Sequence, residues 1–449
     1  MFKTLLNVFR VPELRNKVLF TLFMLAVYRI GFHIPIPGVD QEAFQEMMKK
    51  QQQGDSESAA SRVAQYVSLF SGGSLSQSTI FGLGVMPYIS SSIIFQLLGT
   101  VVPSLEKLQK EGQTGQRKIQ EWSRYVTVPL CVVQAGFWLS YMHSTSPPLI
   151  QKQFLYENST SFWLIGMTVL TAGSIFLMWL GEQITSRGVG NGSSLIIFTG
   201  IVARLPQSII QLFELGRQGS VSTGLVLGVL VMVLAVTMFI VFMERAQRRV
   251  PITYPRKQVG NKVYEGQSSF LPLKLNTAGV IPPIFASSLL LLPTTAANFA
   301  QGAASNPYLA TVLTLLSPGG PVYLIIFVAL IVFFAFFYTA TVFNPQDTAD
   351  NLKKHGGFVP GVRPGERTAQ YIDQILTRIT VLGAAYLAII CVVPEMLRYN
   401  AAGAFAFGGT SILIVVNVTM DTVAQIHGHL QAHQYEGLIR KAKLRGRKR

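Results

Sequence analysis

The chain has 449 residues, a formal net charge of +16 at pH 7 and a mean hydropathy of +0.39. Charged residues make up only 13% of it, whereas soluble domains carry about a quarter. This composition excludes an ordinary soluble protein, because the sequence also offers many runs of the roughly 20 apolar residues that a membrane-spanning helix needs. We therefore predict an all-α polytopic membrane protein.

The N-terminal segment MFKTLLNVFRVPELRNK is short, basic and amphipathic. No small-residue cleavage site follows the first apolar run, so we do not expect a cleaved signal peptide. Ten predicted spans follow, of which the fifth is interrupted by Arg204 and Pro206. The spans are residues 18–36, 77–100, 122–143, 161–184, 193–214, 221–243, 276–297, 320–343, 371–394 and 407–426.

A short apolar segment lies between the first two spans, after the polar stretch QEAFQEMMKKQQQGDSESAASR. Val63 to Phe70 is too short to cross a membrane, and Gly72 and Gly73 end it. Irregular backbone survives at membrane depth only inside protein or beside a water-filled cavity. We therefore predict a re-entrant element near residues 62–73.

The second span contains residues that are unusual in a membrane helix, namely glycines, a proline, three serines and a glutamine in GLGVMPYISSSIIFQLLG (82–99). The seventh span, NTAGVIPPIFASSLLLLP (276–293), repeats this style, and the fifth opens with GVGNGSSLIIF (188–198). Small and polar residues let helices approach closely and bond across a bundle interface. They also leave a shallow contact that parts at modest cost, and these segments alone leave both interpretations open.

Lysine and arginine collect in alternate loops, with none in residues 298–319. The positive-inside rule then places both termini in the cytoplasm. Two cytoplasmic loops, 244–275 and 344–370, are much longer than a helix connection needs, and loops of that length are usually functional or disordered. The second alternates charge sign and is rich in turn formers, which favours an ordered docking loop over a solvated linker.

Few residues indicate catalytic or ion-coupling chemistry. Arg204 alone falls in the middle of a predicted span, and the spans contain no carboxylate cluster or histidine relay, so ion-coupled transport is disfavoured. GVGNG (188–192) superficially resembles a phosphate-binding loop but lacks the strand–turn–helix context and the lysine of that motif. We therefore do not expect an enzyme.

The histidines and cysteines are interpreted without a metal or a cofactor. His427, His429 and His433 lie close together, but a solvated tail explains them better than a metal site. Cys131 and Cys391 fall in apolar segments without ligand-like neighbours, which favours packing as small hydrophobic residues over a disulfide.

Seven segments, in order along nearly the whole chain, resemble the SecY/Sec61-alpha family, whose members are central subunits of protein-conducting channels. The specificity lies in the series, because no single motif would establish the resemblance. The segments are YRIGFHIPIPGV (28–39), GLGVMPYISSSIIFQLL (82–98), GVGNGSSLIIFTGIVARLP (188–206), ERAQRRVPITYPRK (244–257), LPLKLNTAGVIPPIFASSLL (271–290), FFYTATVFNPQDTADNLKKHGGFVPGVRPGERTAQYI (336–372) and GGTSILIVVNVTMD (408–421).

The resemblance implies ten transmembrane helices in two pseudo-symmetric inverted halves around an hourglass pore. The N-terminal half, 1–214, would contain five spans and the plug, and the C-terminal half, 215–426, would contain five spans and both long cytoplasmic loops. Residues 427–449 would form a basic cytoplasmic tail. A ring of apolar side chains would close the waist of the pore, a short external helix would plug it, and the wall would open sideways between the second and seventh spans.

The resemblance also implies roles for individual residues, although ordinary core packing remains the alternative for each aliphatic one. Val85 and Ile89 are four residues apart and share a helix face, and Ser193 departs from the branched aliphatic residue usual in the family. The pore ring would comprise Val85, Ile89, Ser193, Ile197, Ile281 and Ile414. The plug would contain Val67, Phe70, Ser71, Gly72 and Gly73, and the lateral gate Ser90, Ile93, Gln96, Thr277, Phe285 and Ser288. Docking of a motor or a ribosome would use Arg248, Arg249, Arg256, Lys257, Lys262 and Arg363.

The implied partners are the subunits SecE and SecG, the SecA motor ATPase and the ribosome, with SecDF and YidC as further contacts. Basic loops would meet ribosomal RNA phosphates through sequence-independent electrostatic contacts. Signal peptides and nascent membrane segments would pass through the gate into the lipid bilayer. The implied location is the bacterial plasma (inner) membrane.

Two other functions remain open. An inverted-repeat secondary transporter for a small solute also uses broken helices near the membrane midplane, but the sparse intramembrane charge and the two long cytoplasmic loops disfavour it. A membrane scaffold with docking loops alone would leave the plug-like segment unexplained.

Overall fold

The computed structural model describes residues 11–43, 78–144, 150, 159–218, 222–255, 257–259, 262–264, 268–299, 320–400 and 409–446. Helices make up most of this part of the chain, and the strands found in it all lie between two of the long helices. The predicted plug, with Val67, Phe70, Ser71, Gly72 and Gly73, lies outside the described residues.

The elements are labelled in chain order. The helices before the strands are α1 (Pro12–Gly31), α2 (Met86–Val101), α3 (Pro103–Lys110), α4 (Gln113–Ser144), α5 (Ser159–Arg187), α6 (Gly192–Arg217) and α7 (Thr223–Arg245). The strands are β1 (Gln247–Thr253), β2 (Lys257–Val259), β3 (Lys262–Tyr264) and β4 (Ser268–Lys274). The remaining helices are α8 (Ile281–Phe299), α9 (Pro321–Val342), α10 (Pro345–Lys354), α11 (Glu366–Asn400) and α12 (Gly409–Gly446).

Each of the ten predicted spans contains a helix, namely α1, α2, α4, α5, α6, α7, α8, α9, α11 and α12. Among the described residues, six helices are long and apolar enough to cross a membrane, or seven if α2 and α3, which meet at a bend of 104°, form one span. The chain is therefore a multi-pass helical membrane protein, and the count of ten spans stays a prediction. Val102 causes the bend between α2 and α3, because it precedes Pro103 and is extended.

Several of the predicted spans differ from the observed helices. The first span was placed at 18–36, but α1 begins at Pro12, since proline fits the first helical turn, and ends at Gly31 before the two prolines of HIPIP. Pro206 does not interrupt the fifth span, because α6 continues through it. The helix of the tenth predicted span, α12, extends past the predicted end at residue 426 as far as Gly446.

The first glycines and prolines of the second and seventh spans lie at helix starts, whereas Gly99 and Pro293 lie within α2 and α8. The spans were placed at 77–100 and 276–297, but α2 begins at Met86 and α8 at Ile281. Gly84 and Gly279 have φ angles of 60° and 64°, a left-handed conformation that glycine adopts without strain. A proline follows each start within the first turn, where the missing N–H has no partner to lose.

Backbone contacts divide the chain into two compact units. Unit 1 comprises the described residues within Met1–Glu214, Leu291–Pro318 and Val418–Arg449, and unit 2 those within Leu215–Leu290 and Gly319–Asn417. The predicted pseudo-symmetry of two inverted halves stays a prediction.

The core of unit 1 is formed by α4, α5, the segment that follows α1 and the segment that precedes α2. Trp138, Leu139 and Met142 of α4 pack with Phe162 and Leu170 of α5. The segment after α1 is pinned to the one before α2 by backbone bonds, from Ile36 N to Ser78 O (2.9 Å) and from Ile80 N to Ile34 O (3.0 Å). The start of α2 is therefore fixed to α1.

Candidate functional site

The first of the two long loops, 244–275, contains a β-hairpin. Strands β1 and β4 pair antiparallel from Gln247↔Lys274 to Thr253↔Ser268. Successive side chains of a strand point to opposite faces, and Val250 and Ile252 of β1 are buried while Arg249 is exposed. The guanidinium carbon of Arg249 lies 4.9 Å from the ring centroid of Phe270, which holds this arginine on the outward face.

The second long loop is ordered by local hydrogen bonds. Asn344 caps α10, since its side chain accepts hydrogen bonds from the N–H groups of Gln346 (3.0 Å) and Asp347 (3.4 Å). At the other end, Thr368 Oγ1 donates to Arg363 O at 2.9 Å and fixes the backbone that carries this exposed arginine. The loop is therefore an ordered element, not a solvated linker.

The two loops join into one module within unit 2. Thr253 and Phe358 exchange backbone hydrogen bonds of 2.9 and 3.0 Å. A Cβ built on Gly357 would lie 3.0 Å from the Tyr254 ring, so a larger residue there would push the loops apart. The buried residues beneath the module are Val250, Leu273, Val359, Ile372, Leu376 and Ile379.

The basic residues predicted for docking lie on this module as far as it is described. Arg248, Arg249 and Arg363 are all exposed. Lys257 and Lys262 lie on β2 and β3, a short pair in which Val259 faces Lys262 and Lys257 faces Tyr264. Arg256 lies outside the described residues. The module therefore presents arginines from both loops, and their role in docking stays a prediction.

The pore-ring positions are divided between the units. In unit 1, Val85 and Ile197 are buried, and Ile89 and Ser193 are partly buried. Val85 precedes α2 instead of lying within it, but its carbonyl accepts the N–H of Ile89 at 3.1 Å, which keeps the two residues one turn apart.

In unit 2, Ile414 is buried and Ile281 is partly buried at the first residue of α8. Because the six positions are divided between units, the ring itself stays a prediction.

Ser193 occupies a place where two helices come close. A Cβ built on Gly181 of α5 would lie 3.3 Å from Ser193 Oγ. A Cβ on Gly192 would collide with the carbonyl oxygen of Gly181. A branched aliphatic side chain at position 193 would be crowded by α5 near Gly181, so packing explains the small serine there.

The GVGNG turn before α6 uses its backbone N–H groups inside the protein. Val189 N donates to Thr21 Oγ1 (3.0 Å) and Gly190 N to Gln425 Oε1 (2.9 Å). Gly192 N donates to Thr185 Oγ1 at 2.8 Å. The turn therefore fastens α6 to α1, α5 and α12, and these N–H groups are not available to a phosphate.

The lateral-gate positions of unit 1 lie on α2. Ser90 and Ile93 are buried, and Gln96 is partly buried. The neighbouring Ser91 donates to Ser123 O of α4 at 2.7 Å. For Ser91 the bundle-interface interpretation is therefore correct.

The lateral-gate positions of unit 2 flank the start of α8. Thr277 Oγ1 donates to Lys274 O at 3.2 Å. Phe285 packs edge-on against Phe334 of α9, with ring centroids 5.6 Å apart. The buried hydroxyl of Ser288 has no hydrogen-bond partner in the described part of the chain. The gate itself stays a prediction, since its two sides belong to different units.

The cysteines and histidines behave as ordinary residues where they are described. Cys131 and Cys391 are buried and form no disulfide, as predicted. His427 and His429 are exposed and two residues apart on α12, a spacing that points side chains to different sides of a helix.

One buried polar cluster was not predicted. Glu244, near the end of α7, accepts hydrogen bonds at Oε1 from Asn276 Nδ2 (2.6 Å), Asn417 Nδ2 (3.0 Å) and Tyr386 OH (3.4 Å). In the sequence, Glu244 is noted only as the first residue of the segment ERAQRRVPITYPRK (244–257). The sequence features that could have indicated a buried cluster are Asn276, at the start of one apolar span, and Asn417, within another.

Comparison with known proteins identifies the family to which the chain belongs. The SecY family profile matches residues 79–423. The chain is 47% identical over 437 residues to the protein translocase subunit SecY of Escherichia coli K12, covering 97% of this chain and 96% of that protein. The chain belongs to the SecY family. The Rickettsia typhi relative is 48% identical over 438 residues, covering 96% and 97% of the two chains.

Solved channel structures share the fold of this family member. The chain resembles a protein conducting channel at TM-score 0.61 and 18% identity, covering 93% of this chain and 95% of that one. It resembles Sec61 of a canine ribosome-channel complex at TM-score 0.60 and 17% identity, with the same coverage. The curated relatives are translocase subunits, so the family is one of transport proteins and not of enzymes.

Proposed function

We propose that the chain is the central pore-forming subunit of the Sec translocon, which passes unfolded secretory polypeptides across the bacterial plasma membrane and releases hydrophobic segments sideways into it. The observation that carries this proposal is the near full-length similarity to protein translocase subunits, at 47% identity to the Escherichia coli protein. Both termini are cytoplasmic in this proposal, as the distribution of lysine and arginine favours.

The pore closes through a ring formed by Val85, Ile89, Ser193, Ile197, Ile281 and Ile414. A constriction of apolar side chains can gate by dewetting. It offers a passing chain no hydrogen bonds and no charge, so it traps no particular sequence. The plug near 62–73 adds a second barrier on the external side.

The side opening between α2 and α8 lets each segment of a passing chain choose between water and lipid. Leucine or isoleucine at the centre of a membrane helix is favourable by about 0.3–0.6 kcal/mol, whereas lysine or aspartate costs about 2.5–3.5 kcal/mol. A long apolar run therefore leaves through the gate, and a polar chain continues across.

The joined cytoplasmic loops supply the surface on which a driving machine acts. A passive pore has no energy source, so the SecA ATPase or the translating ribosome drives the passage. Arg248, Arg249 and Arg363 are exposed on the module and suit the phosphates of ribosomal RNA or the acidic surface of a motor. SecE and SecG complete the complex in the membrane.

The test is reconstitution of the chain with SecE and SecG into proteoliposomes. An unfolded preprotein should become protected from external protease only when SecA and ATP are present. Accumulation of a small solute without preprotein protection would establish the secondary transporter instead. Failure of both, with the loops still binding partners, would establish the scaffold.

Arg363→Glu sharpens this test. The side chain of Arg363 is exposed, and its backbone is held by Thr368, so reversal of the charge should leave the fold intact. We expect SecA-driven export to fall by more than tenfold with normal accumulation of the chain. Lys354→Glu, an exposed charge reversal at the end of α10, serves as the matched control. Normal export by Arg363→Glu would remove the docking role.

A further inference from the structure

The Glu244 cluster lies entirely within unit 2 and joins four separate elements. Glu244 belongs to α7, Asn276 to the turn before α8, Tyr386 to α11 and Asn417 to α12. Both asparagines are 5% exposed and Tyr386 is 2% exposed. A polar cluster this deeply placed is expensive to assemble unless its groups are paired, and here they are paired with one carboxylate oxygen.

The hydrogen bonds of Asn276 shape the turn that starts α8. Its Nδ2 donates to Glu244 Oε1 at 2.6 Å and to Gly279 O at 3.0 Å. At the preceding residue, Leu275 N donates to Ala246 O at 2.9 Å, which is the last backbone bond of the β-hairpin. The backbone hydrogen bonds of the β-hairpin therefore end at Leu275, and the next residue, Asn276, is bonded to α7 through its side chain.

The cluster is close in sequence to both pore-ring positions of unit 2. Asn276 precedes Ile281 by five residues, and Asn417 follows Ile414 by three, which is about one helical turn. A carboxylate that binds both asparagines therefore ties the turn before α8 to α12.

We propose that Glu244 is a positioning residue of the gate, which holds α8 against α12 in the closed arrangement and releases α8 when a signal sequence is accommodated. The proposal rests on the function proposed above. Glu244 is only partly buried, so water can reach its carboxylate when the bond to Asn276 opens. Release is therefore reversible, unlike the breaking of a bond in a dry core, where the abandoned charge would stay without solvation.

The decisive variant is Asn276→Asp, which puts two carboxylates where one amide bond was and opens the cluster by repulsion. Glu244→Gln with Asn276→Asp exchanges acceptor and donor and restores the hydrogen bond between residues 244 and 276, but not the bond that Asn276 donates to Gly279 O. The readout is the export of a preprotein with a defective signal sequence, divided by export of the intact preprotein, in membranes containing the full complex. We expect the ratio to rise about fivefold or more in Asn276→Asp and to fall back toward the wild-type value in the double variant.

A merely structural role would lower the amount of folded chain and both exports together, leaving the ratio unchanged. An unchanged ratio in Asn276→Asp therefore overturns the proposal, as does a raised ratio that the double variant does not reverse. Glu244→Gln alone, nearly isosteric with the native residue, covers the case in which Asn276→Asp fails to accumulate, and its ratio should rise by a smaller factor. Glu214→Gln, at an exposed carboxylate of α6, is the matched control and should leave the ratio unchanged.

Ile414→Asn separates failure of this inference from failure of the proposed function. If Ile414→Asn raises the ratio and the Glu244 and Asn276 variants do not, the channel stands and Glu244 is not its positioning residue. If none of these variants changes the ratio, and wild-type vesicles protect no preprotein, the proposed function itself is wrong.

Discussion

The starts of α2 and α8 look alike in sequence but are held in different ways. Each has a glycine with positive φ, a proline in the first turn and consecutive serines further along, three in α2 and two in α8. The start of α2 follows a segment bonded through its backbone to the end of α1, and Ser91 bonds α2 to α4. The start of α8 also follows a backbone bond, from Leu275 N to Ala246 O (2.9 Å), and is held in addition by side-chain bonds from Asn276 to Glu244 and to Gly279 O.

The two helices also differ in how closely they pack against their neighbours. Helix α2 packs closely along α4, whereas within unit 2 the described part of α8 makes no comparably extensive backbone approach to another helix or strand. Its contact with α9 runs through side chains, such as the edge-on pair of Phe285 and Phe334. Under the proposed function, we expect α8 to be the side of the gate that moves and α2 the side that stays fixed.

The largest effect is expected from joining the two sides. Ser90→Cys with Ser288→Cys, in a chain whose buried Cys131 and Cys391 are replaced by alanine, places thiols on α2 and α8. A disulfide forms only when the Cα atoms approach to about 7 Å or less. Oxidation should abolish export almost completely, and reduction should restore it.

Each single-cysteine chain is the control for this trap, because it undergoes the same oxidation without a cross-link. Export at the wild-type rate by the cross-linked fraction would show that the two helices need not separate.

A smaller effect is expected from weakening the pore-ring positions of unit 2. Ile414→Asn puts an amide into a buried apolar position, which should let water enter the constriction. We expect ion conductance in planar bilayers to rise severalfold, with Ile281→Asn acting in the same direction. Leu413→Asn, at the adjacent fully buried residue, should instead lower accumulation of the chain. Equal conductance of Ile414→Asn and wild type would remove the ring assignment.

The smallest effect is expected on the fixed side. Ser91→Ala removes two hydrogen bonds between α2 and α4, because the Ser91 hydroxyl donates to Ser123 O (2.7 Å) and accepts from Ser123 Oγ (3.3 Å). The loss costs about 1 kcal/mol of stability for each hydrogen bond, although Thr127 Oγ1 still donates to the Ser123 carbonyl (2.7 Å). Thermal unfolding in detergent should show a lower midpoint with unchanged export. Ser92→Ala is the matched control, and relaxed signal-sequence stringency in Ser91→Ala would argue that α2 moves too.

The sequence predicted where the apolar segments lie, because length and hydropathy are local properties. It did not locate the helix starts. Gly84, Pro87, Gly279 and Pro282 were recognised as residues that break helices, but a proline near a glycine is compatible with both a kinked helix and a helix beginning. Pairing of the flanking segments with distant strands and turns decides between the two, and that pairing is not encoded in a local window.

The candidate site was predictable where the resemblance to a family supplied the positions and unpredictable where distant residues meet. Glu244 is 142 residues from Tyr386 and 173 from Asn417 in sequence, so no local pattern relates them. Thr253 and Phe358, whose backbone bonds join the two long loops, are also far apart in sequence. The charge pattern indicated docking loops, but that the loops form one module follows only from the fold.

Hydrogen–deuterium exchange on the reconstituted complex, with and without a bound signal peptide, tests the contrast between α2 and α8 most directly. Peptides covering residues 276–290 should exchange faster when the signal peptide is bound, because the bond from Asn276 to Glu244 opens and α8 shifts. Peptides covering 86–101 should exchange at the same rate in both states. Faster exchange in 86–101 with no change in 276–290 would contradict the assignment of α8 as the moving side.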